Sequence, residues 1–324
     1  MASHKINPFS KSNPDTGFGT QASQIGGRFI NRDGSFNLRR EGWPVFRRIG
    51  IYSQLLALSG MQFLLVVLGF FLLVNILFTF LYTLMGSHAF YGLSAHTGWG
   101  RVKELFYFST QSFSTVGYGR INPATDSANI IASIESITGP LLFAVVTGLM
   151  YGRFSRPRAY LAFSNQALLA PYKDGLALMF RMVPYKANHH LTNATVVVTI
   201  TLLVNEGGKS EYRFYPLNLE RTRIDTFNMN WTVVHPINEE SPLLNFTAAD
   251  LEKADLELYV LVTGFDQVYS NTVMQRTSYT YKEIVWGARF RPMYHESPDG
   301  LTTVLELDKL HHYDPIPLDG ITTT

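Results

Sequence analysis

Thr115-Val116-Gly117-Tyr118-Gly119, between two long apolar stretches, combines residue types suited to one kind of chemistry: replacing the water around a dehydrated potassium ion. That chemistry uses the backbone more than the side chains. A nearly extended run of carbonyl oxygens must face a common axis, and glycine, lacking a Cβ, enters backbone regions closed to other residues. Gly117 and Gly119 alternate with Val116 and Tyr118, which lets successive carbonyls turn the same way. Thr115 adds its hydroxyl at the inner mouth. The five residues read as a potassium-filter signature, with Thr115, Val116, Gly117 and Tyr118 as the ligands of K+. A Gly-Tyr-Gly loop alone is common, so the surrounding elements decide the reading.

Those elements fit a membrane. Met61 to Met85 is an apolar run of about 25 residues, enough to span a bilayer as a helix at about 1.5 Å per residue. Within it, Asn75 and Thr79 read as helix-packing residues, and Gly69 as a point of close approach. A second run, Ile130 to Tyr151, is of similar reach although it carries Glu135 and Pro140. Val102 to Phe113, rich in aromatics and hydroxyls, reads as a short pore helix entering the membrane between them. Irregular backbone at membrane depth must be enclosed by protein or line a cavity, so this helix and the second span must surround the filter. One chain supplies one filter strand. A closed ring of carbonyls needs four, which predicts a cyclic homotetramer.

With 324 residues, 46% of them hydrophobic, the chain has room for a membrane part of about 100 residues and one soluble domain. The net charge of +2 gives no argument for nucleic acid. Arginines cluster before the first span (Arg28, Arg32, Arg39, Arg40, Arg47, Arg48) and after the second (Arg153, Arg156, Arg158). By the positive-inside bias both termini are expected in the cytoplasm, with the protein multi-pass in the cell (inner) membrane. The loop between the spans carries Arg101, Lys103 and Arg120, and no span carries the periodic arginines of a voltage sensor. There is no cysteine, hence no disulfide or thiolate chemistry. The first twenty residues lack the apolar core of a secretory signal and read as disordered.

After Pro157 the texture changes to short β-rich runs. Thr195 to Val204 is too short to cross a membrane and reads as a buried strand; Leu256 to Val262 alternates around Glu257 and Tyr259, predicting one face in and one out. Gly207-Gly208 suits a hairpin turn, and Thr247 to Lys253 a helix, with Thr247 and Asp250 spaced as a capping box. An all-β sandwich with few helices is expected. Gly208-Lys209-Ser210 lacks the earlier glycine of a phosphate loop, which would fall at Leu203, and no nucleotide-binding glycine fingerprint follows a strand. Adjacent histidines, His189-His190 and His311-His312, point to opposite faces of a strand, which disfavours a metal site. Nucleophile and base are not paired convincingly. An enzyme is not expected, and no cofactor beyond K+ as permeant ion.

Trp231-Thr232-Val233-Val234-His235-Pro236-Ile237, then Glu239-Glu240-Ser241-Pro242-Leu243, then Glu283-Ile284-Val285-Trp286-Gly287 carry a resemblance that extends from about Arg28 to Asp314. In their order and approximate spacing they resemble the cytoplasmic domain of prokaryotic inward-rectifier potassium channels of the KirBac type. The resemblance implies an immunoglobulin-like sandwich from each subunit, assembled into a vestibule that extends the pore. It divides the chain into a cytoplasmic N-terminal segment (1–42), an amphipathic slide helix (43–58), a pore domain (59–152) and a cytoplasmic β domain with a flexible tail (153–324). Val45, Ile49, Tyr52 and Leu56 recur at helical spacing in the slide segment; continuation of the first span is the alternative.

Further roles follow from the same resemblance. Arg47, Arg48, Arg153, Arg156 and Arg158 would meet anionic lipid headgroups, although such clusters also merely fix topology. Gly139 matches the family's hinge, next to Pro140; close packing against the pore helix is the other reading. Phe143, Thr147 and Tyr151 share one helix face and can line the cavity, with Tyr151 at the family's constriction, where four rings would form an apolar neck that resists wetting. Glu135, an acid inside a span, is expected to hydrogen-bond behind the filter rather than attract blockers. Strongly rectifying relatives carry an acid where this chain has Phe143, so block by polyamine or Mg2+ would rest on cytoplasmic acids such as Glu220, Asp225 or Glu283. Gln111 stands where relatives keep a glutamate, which puts an ion pair supporting the filter in doubt. The runner-up is a membrane-anchored β-sandwich binding module whose filter-like loop does not conduct; a different ion selectivity comes third.

Overall fold

The chain divides into two units, Glu41–Arg156 and the remainder, Met1–Arg40 with Pro157–Thr324. The structure, a computed structural model, describes residues 6–7, 9–12, 28–39, 41–42, 44, 50–206 and 209–318.

In the first unit a short helix, α1 (Ile51–Ala57), is followed by the long helix α2 (Gly60–Met85). Leu58 and Ser59 are extended, so α1 is not a continuation of the span. Ser59 and Gln62 form a reciprocal capping box that starts α2, with bonds of 3.2 and 3.0 Å. A two-residue strand, β1 (Phe90–Tyr91), leads to α3 (Gly98–Phe113), and β2 (Asn122–Pro123) leads to α4 (Asp126–Phe154). β1 and β2 pair antiparallel and tie together the segments that flank α3. Both α2 and α4, of 26 and 29 residues, are long and apolar enough to cross a membrane. α3 begins four residues before the predicted start, because the Thr97 side chain caps it by accepting the Gly100 N–H at 3.0 Å. α4 likewise outruns the predicted span: Thr125 caps it and Asp126 complements the positive end of its dipole, while Arg153 sits at the negative end. Tyr82, Phe90 and Phe108 pack ring to ring at 5.3 to 5.6 Å where α2, β1 and α3 meet.

The second unit is built from β3 (Leu161–Phe163), β4 (Ala167–Tyr172), β5 (Gly175–Pro184), β6 (Leu191–Glu206), β7 (Lys209–Pro216), β8 (Arg223–Phe227) and β9 (Trp231–Ile237). The helix α5 (Ala248–Lys253) precedes β10 (Glu257–Asp266), β11 (Asn271–Thr280) and β12 (Ile284–Trp286). One five-stranded sheet runs β11-β10-β6-β7, with β8 also on β6; the other runs β12-β4-β5-β3, with β9 also on β5. Every pairing is antiparallel except β12 with β4. Leu178, Phe180 and Met182 of one sheet and Val198, Ile200 and Leu258 of the other share one dry core. Two ribbons complete the unit: β13 (Ala288–Phe290) with β16 (Tyr313–Pro315), and β14 (Tyr294–Glu296) with β15 (Thr303–Leu305). The β6–β7 register closes at Glu206 and Lys209, the spacing of a two-residue turn; Gly207-Gly208 lies outside the described residues. Thr247 and Asp250 form the expected capping box on α5.

One expectation fails in this unit. Glu257 and Tyr259 do not face water but are 4% and 7% exposed, because residues 28–36 fold over that face of the sheet. Ile30 and Phe36 form a β-bridge, and Phe29 meets Tyr212, Phe214 and Tyr259 edge to face. The Glu257 carboxylate accepts the backbone N–H groups of Phe29 and Ile30 at 3.0 and 3.4 Å, and the Tyr259 hydroxyl at 3.1 Å. Alternation in a strand marks two faces. It does not say that a distant segment covers the polar one.

Candidate functional site

The loop that follows α3 is held from its own helix. Val116 and Gly117 both donate to the Gln111 carbonyl, at 2.9 and 3.2 Å, and Thr115 donates to the Ser112 carbonyl at 3.1 Å. Gln111 thus supports the loop through its main chain. The backbone turns left-handed at alternate residues, with φ of 61° at Thr115, 54° at Gly117 and 78° at Gly119. Positive φ is costly for β-branched Thr115, so the alternation begins one step earlier than the glycines alone predict. The loop lies at the C-terminal end of α3, where the helix dipole favours a cation. At the far end, Asn122 donates to the Gly119 carbonyl at 2.9 Å. Arg120 pairs with Glu104 at 2.8 Å, while the other Glu104 oxygen accepts from Ser94 and Ala95. Val116 and Tyr118 are exposed in the single chain.

Behind the loop runs a buried polar chain across three helices. Glu135 of α4, fully buried, accepts the Tyr82 hydroxyl of α2 and the Ser109 hydroxyl of α3, each at 2.5 Å. Ser109 Oγ also lies 3.1 Å from Asn75 Oδ1. Glu135 therefore holds the helix that carries the loop, and it is not bonded to the loop itself. The sequence reading singled out Glu135 and Asn75 and missed Tyr82 and Ser109. A buried acid needs donors, and these two hydroxyls were the signal available on the neighbouring helices.

Gly139 is where α4 touches the end of α3: a Cβ there would lie 1.9 Å from the Phe113 carbonyl oxygen. Close packing explains the glycine, and α4 runs unbroken through Pro140. Below the loop a cavity of about 540 Å³ is lined by Phe71, Phe113, Thr115, Gly139, Pro140 and Phe143. Thr147 and Tyr151 follow Phe143 at successive turns of α4, all three exposed in the single chain, with the Thr147 hydroxyl returned to the Phe143 carbonyl at 2.8 Å.

At the inner end of α4, Arg153 is engaged within the chain. It donates to the Leu55 carbonyl of α1 at 3.1 Å, and its guanidinium lies 4.9 Å from the Phe63 ring centre. Gly152 faces the Tyr52 hydroxyl. Arg156 and Arg158 are exposed; Arg47 and Arg48, with Val45 and Ile49 of the predicted slide segment, lie outside the described residues.

The three cytoplasmic acids differ. Glu220 accepts from Tyr172 and Lys173, and the Tyr172 bond leads the causes that hold its carboxyl below the usual range. Asp225 is exposed beside Arg223 at 3.1 Å. Glu283 is not a free acid: Arg28 and Arg32 lie 3.2 and 3.6 Å from one oxygen, and the other accepts from Thr280. His189 bonds Asp266 at 2.8 Å and His311 accepts the Asn165 N–H; among the described residues no three His, Asp or Glu side chains gather as a metal site.

Known proteins share both units. The model of the inward rectifier potassium channel C-terminal domain matches residues 161–318, and an ion channel model matches residues 66–156. The chain is 31% identical to the inward rectifier potassium channel Kirbac3.1 of Paramagnetospirillum magnetotacticum, over 88% of this chain and 95% of that protein. It is 29% identical to the mouse G protein-activated inward rectifier potassium channel 2 and 30% to channel 4, over 59% of this chain and about half of theirs. A solved structure of the sporulation control protein Spo0M of Bacillus subtilis matches at 8% identity and a TM-score of 0.24 over 42% of this chain and 58% of that one, too weak to bear on the fold. Two helices long and apolar enough to cross a membrane, a loop of alternating left-handed backbone, a β-sandwich and an almost full-length relative agree: the chain belongs to the inward rectifier potassium channels, a tetrameric family that conducts potassium.

Proposed function

We propose that four copies of this chain set Thr115, Val116, Gly117, Tyr118 and Gly119 around one axis and pass K+ between successive rings of carbonyls. The observation that carries this is the alternating left-handed backbone at Thr115, Gly117 and Gly119, anchored on the Gln111 carbonyl at the negative end of α3. Glu135 supports the filter at one remove by fixing α3. The pore domain spans residues 59–152, preceded by the interfacial helix 43–58 and the segment 1–42, and followed by the cytoplasmic domain 153–324. Both termini lie in the cytoplasm of a cell with this protein in its inner membrane, a reading supported by arginines before α2 and after α4.

In this reading Phe143, Thr147 and Tyr151 line the inner cavity, and the Tyr151 rings form its gate. The motion that opens it is a tilt of α4 about Gly139 and Pro140, with the contact of Gly139 on Phe113 as pivot. Arg156 and Arg158 meet anionic lipid together with Arg47 and Arg48, while Arg153 transmits through α1. Glu220 and Asp225, each beside one cation and more exposed than Glu283 with its two arginines, are the cytoplasmic acids that draw Mg2+ or polyamines; with Phe143 in the cavity, block is weak. Reconstitution into liposomes tests the reading: K+-driven flux, blocked by Ba2+ and absent for Na+, is expected, and Tyr151→Ala is expected to raise flux under closed conditions. Flux that accepts Na+ equally would overturn the filter assignment. Unchanged closed-state flux in Tyr151→Ala would overturn the gate alone.

A further inference from the structure

A second cavity of the membrane unit, also of about 540 Å³, runs between α2 and α3 away from the ion pathway. Ile76 and Phe80 form one wall and Phe106 and Tyr107 the other. Ser109 meets Asn75, so α3 runs back along α2, and its early residues Trp99 and Lys103 border the cavity toward the Thr83 end. The cavity is dry in character. Its two threonine hydroxyls are returned to backbone: Thr79 donates to the Asn75 carbonyl at 2.6 Å and Thr83 to the Thr79 carbonyl at 2.8 Å. Its walls between Ile76 and Phe106 are therefore apolar, and the polar tips of Trp99, Lys103 and Tyr107 are the groups that border it.

Lys103 is the exception. Among the described residues it has no acidic partner, although Glu104 beside it is held by Arg120. An exposed ammonium with a tryptophan and a tyrosine beside it, at one end of an apolar groove, is the arrangement of a membrane interface. A second copy's apolar helix laid in this groove would cover that ammonium without pairing it, which is costly. A phospholipid offers an apolar chain for the walls and a phosphate for the lysine.

We propose that this groove holds an acyl chain of one anionic phospholipid per chain, from the leaflet level with the filter, with its phosphate on Lys103. The proposal rests on the membrane placement of α2 and α3 and is independent of the arginines at the inner end of α4. The test uses full-length protein in mild detergent, exposed to vesicles of phosphatidylglycerol or phosphatidylcholine, washed, and assayed for retained phospholipid phosphate per chain. Phosphatidylglycerol should be retained in preference. Lys103→Glu should reduce its retention about fivefold to tenfold, given the strength of one cation near an anionic lipid, while Lys103→Arg preserves it. Phosphatidylglycerol with brominated acyl chains should quench the fluorescence lost in Trp99→Phe, with the tetramer intact by light scattering. Equal retention by Lys103→Glu and the parent, equal retention of the two lipids, or no quenching at Trp99, as a neighbouring copy filling the groove would give, would each overturn the proposal.

Discussion

Gly139 carries more structural consequence than its size suggests. Its missing side chain leaves room for the Phe113 carbonyl, and a Cβ 1.9 Å from that oxygen would have to push backbone, which yields less readily than a side chain. Gly139→Ala is expected to displace the end of α3, at a cost of about 1–3 kcal/mol or more, and with it the loop that begins at Thr115. Flux in liposomes should fall at least as steeply as the yield of intact tetramer; full selective flux at normal yield would refute the packing argument. The glycines of the loop were legible in the sequence because their backbone chemistry is local. The left-handed backbone at Thr115 was not, since a β-branched residue gives no local sign of it.

Among the elements, α1 is tied to α4 by the Arg153 side chain, beside the contact of Gly152 with Tyr52. Arg153 spans from the Leu55 carbonyl to the Phe63 ring, so α1, the start of α2 and the end of α4 are held at one point. Arg153→Ala is expected to loosen this junction by about 1–2 kcal/mol, the scale of a charged hydrogen bond with a ring contact. Hydrogen exchange should then quicken in residues 51–57 and stay unchanged in α3; unaltered exchange in α1 would remove the tie from the account. The two spans were readable from apolar runs and the pore helix from aromatics and hydroxyls between them, with ends misjudged by a few residues wherever capping by Thr97 or Thr125 decided the boundary. The role of Arg153 was half-read: a basic residue after a span signals orientation, but nothing in the sequence said that its charge turns back onto α1.

For the whole molecule, one buried imidazole contributes to acid sensitivity. His235 is 2% exposed, with Nδ1 2.6 Å from the Asn218 carbonyl, which fixes the proton there, and Nε2 accepting from Ser241 at 2.8 Å. Burial holds its pKa below the ordinary 6.5, despite the opposing bond to Asn218. The unfolded chain therefore binds the proton more readily than the folded one. The contribution of His235 to stability is complete above about 6.5 and is lost as pH falls toward the lower folded-state value. The melting temperature of the full channel in detergent should drop on acidification through that window, and His235→Gln should be less stable at neutral pH but flatter with pH. Equal slopes would assign the acid sensitivity elsewhere. The motif containing His235 served the sequence reading only as a family marker; that it locks the loop to Ser241 required the fold.

The seating of Phe29 and Ile30 on Glu257 joins positions 228 and 227 apart in the chain. A ribosome releases residues 28–36 before either membrane helix exists, yet their seat is complete only when β10 and β11 emerge near the end of synthesis. This segment must wait, without its seat, through the synthesis of both spans. A protein begun at residue 157 would never receive it, and would carry a carboxylate without its amide donors and an uncovered aromatic face. The cytoplasmic body is thus finished by a piece made on the far side of the membrane region, and expression of that body alone should yield aggregates unless residues 28–36 are supplied as a separate peptide.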